Sequence, residues 1–559
     1  MVKNMAILFF FLHKTGKKHT FAAKIITNYI HKKMKKSLLF LIGAFAVSAL
    51  QAQWVNDPAT NTKLATAPSY SWNVKLSTNE STGDTYILWD ADGSNLQRVD
   101  VNGVPQWGDA GIHIESRADA DITTTADNAV VTSFINANGE CIAMKFDKDG
   151  NALWGEQGVS VFGLPHDSTI YSQTQLQAGP DGSVWIMAED EENTYLRYSN
   201  PYGTLNSAVT ISSLRYKCKN ACMTPGSEGV VFVTYEKYSS DAIEADKEIW
   251  VAGFVLDGEP ASTPVRLMEE KIYPQGYTHT AISDGIGGGY AYTLCPDSLG
   301  GFNTFVFHFD ANGLSTISEP FGIPVHSFEA ASTFGEAHAT IDPETHDIII
   351  VYIQNKTKLL INRITMTGEV LWGDGITIAE DGISDNSAPM IHAYPDGSGF
   401  MVAYYYGPNP ESGRIEAIGF NMNGNQTWHT QMNSIVDKKA LNSRASGFHN
   451  GQNIIAWVNQ STGNIYGQNI DINGIMGPTA SVPENAMSAE IFQNGSSLII
   501  SAETLSQVEI ISMTGQSIKT VKANGNAAEI NVSSFTPGLY IVKMDDANGN
   551  VLVRKTVIR

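Results

Sequence analysis

The chain is short of basic residues. It holds 36 Lys and Arg against 57 Asp and Glu in 559 residues. Nine of the 36, all Lys, fall in residues 1–52, which contain no acid. Residues 53–559 therefore carry 27 bases against the same 57 acids, a net of −30. Binding to nucleic acid needs clustered positive charge, and this balance argues against it. Cysteine is also scarce: the four are Cys141, Cys218, Cys222 and Cys295. No His spacing supports a zinc site, and a chain of this size folds without disulfide staples. Four cysteines allow three pairings, and spacing does not choose among them, although Cys218 and Cys222 are near enough to close a small loop. Beyond residue 52 no apolar run approaches the length of a membrane helix. Helical periodicity is almost absent. No Gly-x-Ser-x-Gly elbow, His-Glu-x-x-His segment or phosphate loop occurs.

What is present begins with a leader. Met34-Lys35-Lys36 precedes the apolar run Ser37–Val47, which is followed by Ser48-Ala49-Leu50-Gln51-Ala52. A basic start, a short apolar stretch and small residues before a cut after Ala52 predict a secretory signal peptide over 34–52. Residues 1–33 read as an extension from an upstream start site.

A turn ending in glycine then recurs eight times. Its glycines are Gly103, Gly150, Gly203, Gly258, Gly313, Gly368, Gly424 and Gly474, spaced by 47, 53, 55, 55, 55, 56 and 50 residues. Such a period signals a repeat architecture. Trp107, Trp154, Trp372 and Trp428 each follow their glycine by four residues. Each unit also carries an apolar strand upstream, such as Thr85–Trp89 or Ile348–Tyr352, and reads as four short strands. The pattern predicts an all-β chain: an eight-bladed, alternatively seven-bladed, β-propeller over 53–480. The recurrent Trp would pack between blades. A linker over 481–488 and a small antiparallel β-sandwich over 489–559 would follow. The Gly-to-Trp spacing resembles the tryptophan-docking repeats of eight-bladed quinoprotein dehydrogenases and outer-membrane assembly lipoproteins. Only the architecture carries over. The vicinal cysteines that accompany the quinone are missing, as is a lipoprotein cysteine after the leader. The Asp boxes of sialidase propellers are missing too.

Candidate chemistry is thin. Asp90-Ala91-Asp92-Gly93 and Asp147-Lys148-Asp149-Gly150 are the segments that calcium could take, but neither has the later bidentate acid of a calcium loop, and hairpin chemistry explains the second. No cofactor or metal is expected. His279, His338 and His392 fall in or beside the first strand of three consecutive units, the strand that lines a propeller's channel. They are candidates to bind a ligand or act as bases, and more simply separate polar channel residues. The longer connections gather on one rim and carry Tyr273, Tyr277, Tyr404 and Tyr405, a composition suited to recognising a glycan or a protein. The expectation is a binding module rather than an enzyme. The alternative is a glycan hydrolase or lyase working at the channel mouth.

The C-terminal stretch is the most specific. Short alternating apolar runs lie between Asn-Gly and Pro-Gly turns, the strand Gly538-Leu539-Tyr540-Ile541-Val542-Lys543 follows, and the chain ends on Lys555-Thr556-Val557-Ile558-Arg559. This order resembles the C-terminal sorting domain of the Bacteroidetes type IX secretion system. Gly515, Gly538, Tyr540, Lys543 and Gly549 match the family pattern, while Phe492-Gln493-Asn494-Gly495 replaces its usual Pro-Asn-Pro opening. The resemblance implies the type IX machinery as a partner. It also implies export through the periplasm, then release or attachment at the outer-membrane surface.

Overall fold

A computed structural model describes residues 54–558, apart from 70, 117, 164–169, 240–243, 275–277, 297–298, 300, 329–333, 381, 384–386, 408–412, 435–439, 460, 479–488, 503–504, 513–516, 524 and 547–550. The leader and the linker thus lie outside the described residues. Strands dominate, with no α-helix and two single 3-10 turns among the described residues.

Residues 62–471 form eight four-stranded antiparallel sheets. Seven of them use four consecutive strands, over 72–114, 118–160, 173–211, 217–274, 280–324, 334–379 and 390–431. The eighth is composite. Its first three strands, Ala440–His449, Gln452–Asn459 and Ile465–Asp471, take their outer partner, Thr62–Ala65, from the start of the domain. The first strands of neighbouring sheets touch in an unbroken series, and that of the eighth sheet touches that of the first. The arrangement is propeller-like.

The second strand of each sheet is its most buried. Thr85–Asp90, Ala129–Ile135, Val184–Glu189 and Ile348–Gln354 are buried at every position, because side chains on both faces meet a neighbouring sheet. The repeat turn is closed locally. Its leading Asp or Asn accepts the amides two and four residues on, as Asp100 does from Asn102 and Val104 and Asn421 from Asn423 and Asn425. The glycine supplies the positive φ of the turn, +84° at Gly103.

The tryptophans lock each sheet to the next by one rule. The indole N–H donates to the carbonyl two residues before the following turn glycine: Trp107 to Lys148 at 3.0 Å, Trp154 to Pro201 at 3.0 Å and Trp428 to Ile472 at 2.8 Å. Trp54 does the same to Val101 at 3.0 Å, and a Cβ at Gly103 would meet its ring at 2.8 Å. Trp54 therefore supplies the indole of the eighth sheet, just as Thr62–Ala65 supplies its outer strand.

Residues 489–558 form two further sheets, one of three strands and one of four. They close over their own apolar core, which includes Leu498, Ile500, Val508, Ile510, Val542 and Met544.

Candidate functional site

The eight first strands form a polar wall. Lys75 Nζ lies 3.1 Å from Asp121 Oδ1, and Asp121 Oδ2 accepts the Leu176 amide at 2.8 Å. Gln175 donates to the Ala221 carbonyl at 2.7 Å, and the Ala393 amide donates to Thr340 Oγ1 at 3.0 Å. Each contact crosses from one sheet to the next.

Histidines mark the first strands of sheets six to eight: His338 in Phe334–Ile341, His392 in Met390–Ala393 and His449 at the end of Ala440–His449. His392 and His449 meet over Gly447. A Cβ there would lie 3.7 Å from His392 Nδ1 and 3.6 Å from His449 Nε2. Burial, reinforced by the charges of His338 and His449, pushes the His392 imidazole down to about 4. Burial also lowers His449, against the opposing charge of Glu80. Both rings are therefore neutral at neutral pH. Each can accept one hydrogen bond and donate another, or take up a proton. No group of three His, Cys, Asp or Glu among the described residues is placed to hold a metal ion.

The histidine expectation is corrected in its membership. His279 belongs to a different cluster and faces no open space. It precedes the first strand of the fifth sheet, Thr280–Ser283, and is fully buried. Its Nε2 lies 2.8 Å from Thr234 Oγ1, its amide donates to Glu236 Oε1 at 3.0 Å, and its Nδ1 is 3.5 Å from the same oxygen. Glu236 Oε2 takes Lys247 Nζ at 2.6 Å and Asn220 Nδ2 at 2.7 Å. Glu189 holds the matching place in the third sheet and accepts the amides of Ala221 and Asn220 at 2.6 and 3.1 Å. Burial raises its carboxyl despite those amides. Both acids hold the bulge or start of the next sheet's first strand, and this is a packing role. The sequence carried a signal for them: each is the acid at the sixth place of an otherwise apolar second strand.

The tyrosine expectation fails where it can be read. Tyr404 and Tyr405 are 2% and 3% exposed. Their strand runs on through Tyr406, so they point into the cores on either side of the seventh sheet. The Tyr405 hydroxyl accepts the Gly413 amide at 2.7 Å. Tyr273 lies on the strand Val265–Pro274, opposite Ala245. Tyr277 lies outside the described residues. The long connection read over 237–248 is largely strand: Val231–Tyr238 and Glu244–Phe254 pair with each other. Lys237 there sits 4.7 Å above the Tyr216 ring and 4.9 Å above Trp250.

All four cysteines are free, so Cys218 and Cys222 close no loop. Burial pushes the Cys141 and Cys222 thiols up to about 12, which makes them poor nucleophiles. The Asp-x-Asp-Gly carboxylates are engaged locally. Asp147 accepts the amides of Asp149 and Asn151, and Asp90 accepts Ser94 and Asn73.

In the C-terminal sandwich, Gly538 opens the strand Gly538–Asp546. The Tyr540 hydroxyl donates to the Thr536 carbonyl at 2.8 Å, with its ring 5.7 Å from Phe535. Lys543 Nζ is 3.1 Å from Asp545. Gly515 and Gly549 lie outside the described residues.

Comparison with known proteins gives one assignment. Residues 494–559 match the family described as the secretion system C-terminal sorting domain. No curated protein matches the chain. Among solved structures, the BP39L lectin from Burkholderia pseudomallei is 14% identical with a TM-score of 0.43, covering 66% of this chain and 99% of the lectin. A PL25 ulvan lyase bound to a GlcA-Rha3S unit is 13% identical with a TM-score of 0.39, covering 63% of this chain and 93% of the lyase. The polysaccharide lyase Uly1 is 10% identical, also at 0.39, covering 66% and 93%.

Proposed function

We propose that residues 62–471 close into an eight-bladed β-propeller that binds a glycan or protein ligand outside the cell. Residues 489–559 would deliver it there by type IX secretion. The observation that carries this reading is the sorting domain at the end of the chain, a family whose role is export to the cell surface or the medium. Its separate apolar core fits a module that works independently of its cargo. Closure is supported by the eighth sheet, whose outer strand comes from Thr62–Ala65, and by the contact between the first strands of sheets one and eight. Binding is supported by the polar first-strand wall, where His338, His392 and His449 lie on neighbouring strands and two of them are held neutral.

Deleting 489–559 is expected to leave the protein in the periplasm. Fractionation of expressing cells checks this, and unchanged amounts at the surface or in the medium would sink the export reading. For the ligand, the mature chain is applied to a glycan array. Replacing His338, His392 and His449 together by Gln is expected to weaken retention at least tenfold, on the order of one or two lost hydrogen bonds. Retention that survives the triple change would place the site elsewhere.

A second reading, a glycan hydrolase or lyase, is favoured by His392 alone, since a neutral imidazole can act as a general base. Turnover of an array polysaccharide that disappears in His392→Gln would promote it.

A further inference from the structure

The junction between the fifth and sixth sheets lacks two parts that other junctions have. The first is an indole. Four residues after the turn glycine stands Ile317, buried, where Trp107, Trp154, Trp372 and Trp428 stand in their units. The carbonyl two residues before the next turn glycine is that of Met366. It accepts the Thr316 hydroxyl at 2.7 Å instead of an indole N–H.

The second missing part is a long cation. The next-to-last residue of the third strand is Arg98, Lys145 and Arg363 in sheets one, two and six. Each pairs with an acid in its own sheet's first turn: Arg98 with Asp84 at 2.6 Å, Lys145 with Asp127 at 2.6 Å and Arg363 with Asp347 at 2.8 Å. Each also donates to the next sheet's turn carbonyl, at Lys148, Pro201 and Met422. The fifth sheet has His308 at this place. Its Nε2 is 3.2 Å from Asp284 Oδ2 and its Nδ1 is 2.7 Å from Thr316 Oγ1, so it reaches the Met366 carbonyl only through the threonine hydroxyl.

Ile in place of Trp and His in place of Lys or Arg remove bulk from one spot. A cavity of about 390 Å³ opens there, lined by Asp284, Ile286, His308, Asp310, Thr316 and Met366, among others. Its acids remain ionised. Burial would raise Asp284, but the His308 hydrogen bond and the Ile286 and Gly288 amides outweigh it and hold the carboxyl below the usual range. At Asp310 the amides of Leu314 and Asn312 likewise outweigh burial. The Met366 carbonyl keeps a second lone pair for a further donor.

We infer that this cavity is a binding site for an indole-sized aromatic ring bearing a cationic group. The ring takes the space a tryptophan fills at other junctions, and the cation faces Asp284 and Asp310. The site is separate from the first-strand wall and stands whether or not that wall binds a ligand.

Calorimetric titration of the mature chain with tryptamine, indole and indole-3-acetate tests it. One saturable site is expected, in about the millimolar range for ligands of this size. Tryptamine should bind roughly threefold to tenfold tighter than indole, and indole-3-acetate weakest, from the sign of the facing charge. Ile317→Trp should refill the space and abolish binding. Asp310→Asn should keep the turn, because Asn200 and Asn421 make the same amide contacts in their own units, and should at least halve the tryptamine-to-indole ratio. No saturable heat from any of the three compounds would overturn the inference. So would binding that persists in a folded Ile317→Trp protein. If Ile317→Trp does not fold, an unchanged ratio in Asp310→Asn overturns it.

Discussion

Glu236→Ala is expected to destabilise the protein by roughly 3–5 kcal/mol, the range for removing one partner of a buried ion pair. Glu236 and Lys247 have side chains 0% and 1% exposed, with 2.6 Å between their charged atoms. Burial alone would raise the Glu236 carboxyl. The His279 hydrogen bond and the Lys247 charge overcome that and hold it below the usual carboxylate range. The carboxylate also takes the His279 amide and the Asn220 side chain, so it ties the fourth sheet to the start of the fifth. Alanine would leave the Lys247 ammonium buried without its counter-charge and three donors without their acceptor. A depressed carboxyl stabilises the fold above its unfolded value near 4.5, and that contribution fades as pH falls below it. Three melts at neutral pH check the idea. Glu236→Ala should fall far below the parent. Glu236→Gln should fall less, because it keeps an acceptor. Glu236→Leu combined with Lys247→Met should recover much of the loss, since the desolvation cost of both charges goes with them. A Glu236→Ala melt that overlays the parent would show that the pair is not buried as described.

Local chemistry is what the sequence made legible. The turns could be read because Asp-x-Asn-Gly closes on its own backbone within five residues, and four strands per period follow from the alternation between turns. The sandwich at the end was legible for the same reason. What stayed hidden depends on partners remote in the chain. His449 escaped notice because its strand has two register shifts, between Leu441 and Arg444 and between Ala445 and Phe448, which put it out of phase with His338 and His392. His279 sat at the right interval, but its surroundings are set by Glu236, 43 residues earlier. Tyr404 and Tyr405 read as loop because Gly407 and Pro408 follow, yet the strand extends through Tyr406 before the turn begins. The eighth repeat looked poorest because it is divided between the two ends of the domain: Pro478 occupies the place where a Trp is due, and Trp54 comes from the other end.

That division yields the sharpest test of closure. Trp54→Ala is expected to cost roughly 3–5 kcal/mol, the usual loss for deleting a buried aromatic ring. The Trp54 ring is 1% exposed, and it packs in a cluster with Leu64 and Val74 and with Ile454 and Val458, which joins the first sheet to the eighth. Its neighbours reinforce the seam. The Asn61 side chain donates to the Met432 carbonyl at 2.8 Å, the Ser434 amide donates to the Pro58 carbonyl at 2.8 Å, and the Ala67 amide donates to Asn464 at 3.0 Å. Cleavage after Ala52 would leave this segment on the mature chain with Trp54 as its second residue. Trp154→Ala is the internal control. Trp154 is 7% exposed and makes the same indole-to-carbonyl bond between sheets two and three, where the chain runs straight through the junction. In a closed ring both junctions bear on one cooperative unit, so the two variants should melt together and well below the parent. In an open array the terminal junction could fray without unfolding the rest. Trp54→Ala would then melt like the parent while Trp154→Ala fell, and that outcome would refute closure through the N-terminal strand.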